Sequence, residues 1–149
     1  MQGGIAMGTA SRAAAVLLLT AAAGWAGAQG GSRFAARLST APIDLGNAAA
    51  VKGSGSASAV LDGRDLTVEG RFSGMTAPAT GAHLHVGTVL GVRGPAVAEL
   101  EVEHAASGSV TGAVRLSREQ AAALADGRVY VQIDSEAAPD GNLWGWLLP

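Results

Sequence analysis

The 149-residue chain predicts an all-β fold, an antiparallel Greek-key β-sandwich or barrel with one short helix. Short segments in which apolar and polar residues alternate recur along the chain, and glycine, proline or aspartate lies between them. Only one segment combines a capping sequence with high helix propensity. An α/β sheet needs more helices than one, so the pattern favours strands that pack against strands.

The first half of the chain contains the first three predicted strands. Arg33 to Leu38 alternates and is followed by a segment of small residues. Ser54 to Leu61 and Asp65 to Ser73 form a hairpin, because Asp62-Gly63 is a strong turn signal between two strands. The residues predicted to face the core from the second strand of this hairpin are Leu66, Val68 and Phe72.

The next predicted strand contains two of the three histidines of the chain. A loop over residues 74–81 leads into it, and a glycine-rich segment, residues 86–95, follows it. Because side chains alternate along a strand, His83 and His85 lie on one side and the apolar residues between them face the other. At a rise of about 3.3 Å per residue, the imidazoles lie about 6.6 Å apart and can reach one metal ion or one anionic partner.

Further strands follow in the second half of the chain. Ala96 to Glu103 and Gly108 to Leu116 alternate, and glutamates occupy the polar positions of the first. Arg128 to Asp134 is the next predicted strand. Pro139-Asp140-Gly141 predicts a turn, and Asn142 to Leu148 is the closing strand.

One helix is predicted before the Arg128 strand. Ser117 and Gln120 have the spacing of a capping box, in which each side chain bonds to the backbone of the other residue. Ala121 to Ala125 has high helix propensity, and Gly127 is a natural left-handed stop.

The N-terminal residues predict an export signal. An arginine precedes the apolar run Ala13 to Ala23, and Ala26-Gly27-Ala28 fits the small-x-small cleavage pattern. We therefore expect a signal peptide over residues 1–28 and a single domain over residues 29–149, secreted or periplasmic. The run is shorter than the about 20 residues of a membrane-spanning helix, so no stable membrane span is expected after cleavage. An uncleaved anchor and a true start at Met7 are alternatives.

Composition excludes several functions. The chain has ten Lys and Arg against twelve Asp and Glu without a block of like charge, so no nucleic-acid partner is expected. It has no cysteine, which excludes disulfides, a thiol nucleophile and a thiolate metal site. No nucleophile–base pair stands out, so the sequence predicts that the protein is not an enzyme.

An ordered set of segments carries a resemblance to a known family. They are Phe34-Ala35-Ala36-Arg37-Leu38, Ala82-His83-Leu84-His85, Gly94-Pro95-Ala96-Val97, Leu116-Ser117-Arg118-Glu119-Gln120, Val129-Tyr130-Val131-Gln132-Ile133 and Gly141-Asn142-Leu143-Trp144-Gly145. Together they resemble the CHRD domain, a module named for its repeats in chordin and also found singly in exported bacterial proteins. The resemblance therefore implies an immunoglobulin-like sandwich or superoxide-dismutase-like barrel over residues 29–149.

The chain departs from the family pattern at two places. The family pattern Tyr-Val-Asn-Val-His-Thr corresponds to residues 130–135, where Asp134 replaces the last histidine. The pattern Gly-Glu-Ile-Arg-Gly corresponds to residues 141–145, where an amide and an indole replace the charged pair. A carboxylate at position 134 can still bind zinc or accept a hydrogen bond from an imidazole.

The histidine pair has three interpretations. It is a solvated or hydrogen-bonded pair, a copper or zinc site formed by His83, His85 and Asp134, or a pH-sensitive contact with a partner. The His-x-His strand also resembles the copper-ligand strand of copper–zinc superoxide dismutases. Those enzymes need more histidines, and only His104 is left, so dismutation is not expected.

The leading functional prediction is a non-enzymatic binding or structural module of the cell envelope or extracellular space. Its partner is an unknown protein or surface, and no cofactor is expected. The alternative is a periplasmic protein that binds copper or zinc through the His-x-His motif. Trp144 and Trp146 share a strand face and could stack on a sugar, although packing is the commoner role of such pairs.

Overall fold

The computed structural model describes residues 30–40 and 48–149, which contain eight strands and one helix. The predicted signal peptide, residues 1–28, and residues 41–47 lie outside the described residues. The elements, in chain order, are β1 Ser32–Ser39, β2 Ser54–Asp62, β3 Asp65–Ser73, β4 Ala79–Val86, β5 Ala96–Val102, β6 Gly108–Arg115, α1 Arg118–Ala125, β7 Val129–Ser135 and β8 Ala138–Trp146.

One antiparallel sheet closes on itself in the order β1-β2-β3-β6-β5-β4-β7-β8. The predicted all-β antiparallel fold with one short helix is confirmed, and of the two predicted architectures, sandwich and barrel, the structure has the closed barrel. Closure depends on two short seams. β1 and β8 meet at the Ser39–Trp144 pair and the Ala35–Leu148 bridge, and β5 and β6 share two register pairs. Alternation reports which side chains face inward, but it does not report whether edge strands pair.

The core fills the barrel with small and branched aliphatic side chains. Leu66, Val68 and Phe72 are buried, as the alternation of β3 predicts. On β4, Leu84 is fully buried, while the histidines on either side of it lie on the outer surface of the barrel. The outward direction of the two imidazoles is therefore confirmed.

The helix begins and ends as its sequence predicts. The Ser117 hydroxyl accepts a bond from the Gln120 amide (3.1 Å), and the Gln120 side chain accepts one from the Ser117 amide (2.8 Å). Gly127 has a φ of 70° just after the helix, where an L side chain would be strained. Among residues 30–40 and 48–149, no helix reaches the length and apolarity needed to cross a membrane.

The structure corrects two predicted boundaries, the start of β4 and the start of β8. β4 begins at Ala79, so the predicted loop over residues 74–81 is shorter. β8 begins at Ala138 and includes Pro139-Asp140-Gly141, which therefore is not the turn between β7 and β8. Ile133 pairs with Leu143 and Ser135 with Ala138, so residues 139–142 bulge out opposite residue 134 alone. A bulge tolerates a proline, because its residues do not donate to the ladder.

Candidate functional site

The outer face of β4, β7 and β8 is covered by residues 87–95, which we call the roof loop. Every residue of β7 is buried, including the outward-facing Tyr130, Gln132 and Asp134. A strand with one face in the core leaves its other face to solvent unless a further layer covers it. The roof loop supplies that layer over part of the barrel wall.

Gly94 fixes the roof loop to the strands beneath it. Its carbonyl accepts hydrogen bonds from His85 Nδ1 (2.9 Å) and the Tyr130 hydroxyl (3.2 Å), and its amide donates to the same hydroxyl (3.2 Å). A Cβ at this position would overlap the carbonyl of Val86, so only glycine lets the loop approach so closely. Tyr130 is buried, and these bonds satisfy its hydroxyl.

Aromatic rings form a continuous stack under the roof loop. Tyr130 stacks on His85 at 4.8 Å and on Trp144 at 5.4 Å between ring centroids, with both interplanar angles near 15°. Trp146 contacts the same tyrosine at 4.6 Å in a tilted arrangement. Arg93 completes the stack, because its guanidinium carbon lies 3.8 Å from the centroid of the Trp144 ring. The two tryptophans therefore pack within the outer face.

Asp134 contacts His83 rather than His85. Its Oδ2 lies 3.0 Å from His83 Nδ1, and its Oδ1 accepts a bond from Gln132 Nε2 at 2.7 Å. A carboxylate accepts, so the bonded ring nitrogen carries the hydrogen. The pair thereby orients the imidazole with Nε2 as its remaining nitrogen.

His85 is held in the same way by a different acceptor. Its Nδ1 donates to the Gly94 carbonyl, and burial lowers the pKa of the ring below its ordinary value of 6.5, although that same bond partly opposes the shift. The ring is therefore neutral at pH 7, and Nε2 is an acceptor. That Nε2 is buried and has no hydrogen-bond partner among the described residues. Trp144 Nε1 is also buried without a hydrogen-bond partner among the described residues.

The structure brings the three predicted site residues together around one open cleft of about 370 Å³. The His83 and His85 rings lie 6.0 Å apart at 80°, and Arg93 and Gln132 also line the cleft with Asp134. Within residues 30–40 and 48–149, no three His, Cys, Asp or Glu side chains form a group that could hold one metal ion. The carboxylate acts here as a hydrogen-bond acceptor, and metal binding stays a prediction.

Sequence reasoning missed the contribution of the roof loop. Arg93 and Gly94 lie in a segment described only as glycine-rich, and Gln132 figures in the sequence only as part of a family segment. The sequence of β7 contains one signal that its outer face is covered. Its outward positions include a tyrosine and an amide, whereas the outward positions of β5 hold glutamates.

The roof loop also presents apolar side chains to solvent. Val89, Leu90 and Val92 are 56%, 55% and 47% exposed. Isolated exposed aliphatic residues are ordinary, but three within four positions form a local apolar patch.

Comparison with protein families gives one match. The family model of the CHRD domain matches residues 34–147, which is more than half of the chain. The match includes all eight described strands except the first two residues of β1. No curated protein and no solved structure shows a significant match.

Proposed function

Because the chain belongs to the CHRD domain family, we propose that it is an exported, non-enzymatic binding module of the cell envelope or extracellular space. Its contact surface is the roof loop, and its partner is a protein. The observation that carries this proposal is the apolar patch of Val89, Leu90 and Val92.

Burial of the patch would stabilise a complex with a partner. Burying a whole Val or Leu side chain is worth about 1.5–3 kcal/mol, and each of the three is about half exposed. Covering the patch would therefore contribute about 3 kcal/mol to association. The loop beneath it is held by Gly94, so the patch is presented on a fixed support and loses little conformational freedom on binding.

Photo-cross-linking in the cells that produce the protein tests this surface. A photoreactive residue at position 90 should give a discrete adduct, whereas one at Thr67, exposed on the outer face of β3, should not. Changing Val89→Ser and Val92→Ser should abolish the adduct without unfolding the barrel. Equal labelling at both positions, or no adduct at position 90, would refute the proposed surface.

Export is tested by the N-terminus of the protein that leaves the cytoplasm. Sequencing of that material should begin at Gln29. Intact Met1 or Met7 in a membrane fraction would instead support an uncleaved anchor.

The alternative function is binding of copper or zinc, and one observation favours it. Both imidazoles donate through Nδ1, His83 to the carboxylate of Asp134 and His85 to a carbonyl, which leaves Nε2 on each ring. Histidines that bind metals are commonly oriented by this kind of second hydrogen bond. Two nitrogen ligands would need water or a further ligand to complete the coordination of Cu²⁺ or Zn²⁺.

Titration of protein purified without a chelating tag separates the two functions. A metal site predicts saturable binding of Cu²⁺ or Zn²⁺ that His83→Ala and His85→Ala abolish and His104→Ala leaves unchanged. The last substitution controls for binding by an exposed imidazole, because His104 does not line this cleft, although it lines a neighbouring pocket with His83 and Asp134. Absence of saturable binding, or equal loss in all three variants, removes the alternative.

A further inference from the structure

A second cavity adjoins the histidine cleft, because Arg93 lines both. It has a volume of about 270 Å³ and lies between Gly91 of the roof loop, β1 and β8. Its lining includes two arginines, Arg37 and Arg93, and two tryptophans, Trp144 and Trp146. This volume is just below the range of pockets for drug-sized ligands, so it suits a single ring.

The charge of the cavity selects an anion. Of the described residues that line it, two are arginines and none is acidic. The guanidinium of Arg93 is fixed by its contact with Trp144 and by donation to the Asp140 carbonyl at 2.7 Å. An arginine has five N–H donors in a planar fork, so donors of Arg93 remain for a ligand. Arg37, on β1, also lines the cavity. Planar guanidinium groups match the two oxygens of a carboxylate.

The tryptophans that line the cavity suit a ring with an apolar face. Trp144 is buried and already contacts Tyr130 and Arg93, so little of its ring is left for a ligand. Trp146 is only partly buried and lines the cavity, so its indole is the group on which we expect a ring to stack. Ser39, which is exposed on the rim, adds a hydroxyl for hydrogen bonding.

We propose that this cavity binds a carboxylated sugar ring, a uronate residue, with the carboxylate between Arg37 and Arg93 and the apolar face of the pyranose on Trp146. This cavity shares Arg93 with the histidine cleft and adjoins the apolar patch at Gly91. The proposed contact uses neither the imidazoles nor the side chains of the patch, so its failure would leave the proposed function intact.

Titration with D-glucuronate tests the site, read from the indole N–H resonances of Trp144 and Trp146. A single ring of this size predicts a dissociation constant on the order of 1 mM. Arg37→Gln should weaken binding about tenfold or more, and added salt should weaken it in the wild type. Arg33→Gln is the matched control, because Arg33 is exposed on the same outer face of β1 but does not line the cavity.

Related compounds decide what is recognised. The proposal expects D-glucose and acetate to bind much more weakly than D-glucuronate, since each lacks either the charge or the ring. Equal binding of glucose would show that the arginines do not select the ligand. Equal binding of acetate, or tighter binding of benzoate, would refute the sugar assignment. Arg37→Gln behaving like Arg33→Gln, or no saturable shift, would refute the site.

Discussion

Replacing Gly94 with alanine should detach the roof loop from the barrel. The added Cβ would overlap the Val86 carbonyl, and no side-chain rotation can relieve a collision with backbone. The bonds at risk are the one from His85 Nδ1 at 2.9 Å, the two with the Tyr130 hydroxyl at 3.2 Å, and the Val86–Pro95 backbone bond at 3.2 Å. At about 0.5–1 kcal/mol each, their loss should lower the free energy of unfolding by about 2–4 kcal/mol.

Urea unfolding and native-state tryptophan emission measure the effect of Gly94→Ala. Emission should shift to the red, because Trp144 and Trp146 lose their cover while the core of the barrel stays intact. Thr88→Ala is the control, since Thr88 is exposed in the same loop, and it should change stability by less than about 0.5 kcal/mol. An alanine variant at position 94 with wild-type stability and emission would show that the loop does not depend on this close approach.

Two further substitutions test local features. Because burial lowers the pKa of His85, the unfolded chain takes up the proton first as the pH falls, so the metal-free protein should lose stability below about pH 6.5. His85→Gln should flatten this loss in urea unfolding across that range, and an unchanged pH dependence would contradict the assignment. Ser117→Ala should cost about 1 kcal/mol through loss of the helix cap, whereas Ser58→Ala, exposed on β2, should be nearly neutral. Equal thermal stability of the two serine variants would contradict the capping role.

The strands and the helix could be predicted because their signals are local. Asp62-Gly63 marks a two-strand turn, Ser117 and Gln120 cap a helix, and alternation places His83 and His85 outside. Each of these features depends on residues within a few positions of one another. The family resemblance added the order of the segments, which the CHRD match bears out.

The parts that could not be predicted depend on long-range pairing. Pro139-Asp140-Gly141 has the composition of a turn, but the register between β7 and β8 makes it a bulge. Alternation leaves a sandwich and a barrel both open, because closure depends on a few pairs at two seams. The contact between His83 and Asp134 crosses from β4 to β7, and only the register of those strands determines which histidine is reached.

The hydrogen positions on the imidazoles test the central claim, that this outer face is a built site and not a solvated strand surface. Nitrogen-detected NMR of the histidine rings should find a hydrogen on Nδ1 of both His83 and His85, bonded to Asp134 and Gly94, while exposed His104 exchanges freely with water. A ring in which Nδ1 carries no hydrogen, or two rings that exchange as fast as His104, would contradict it.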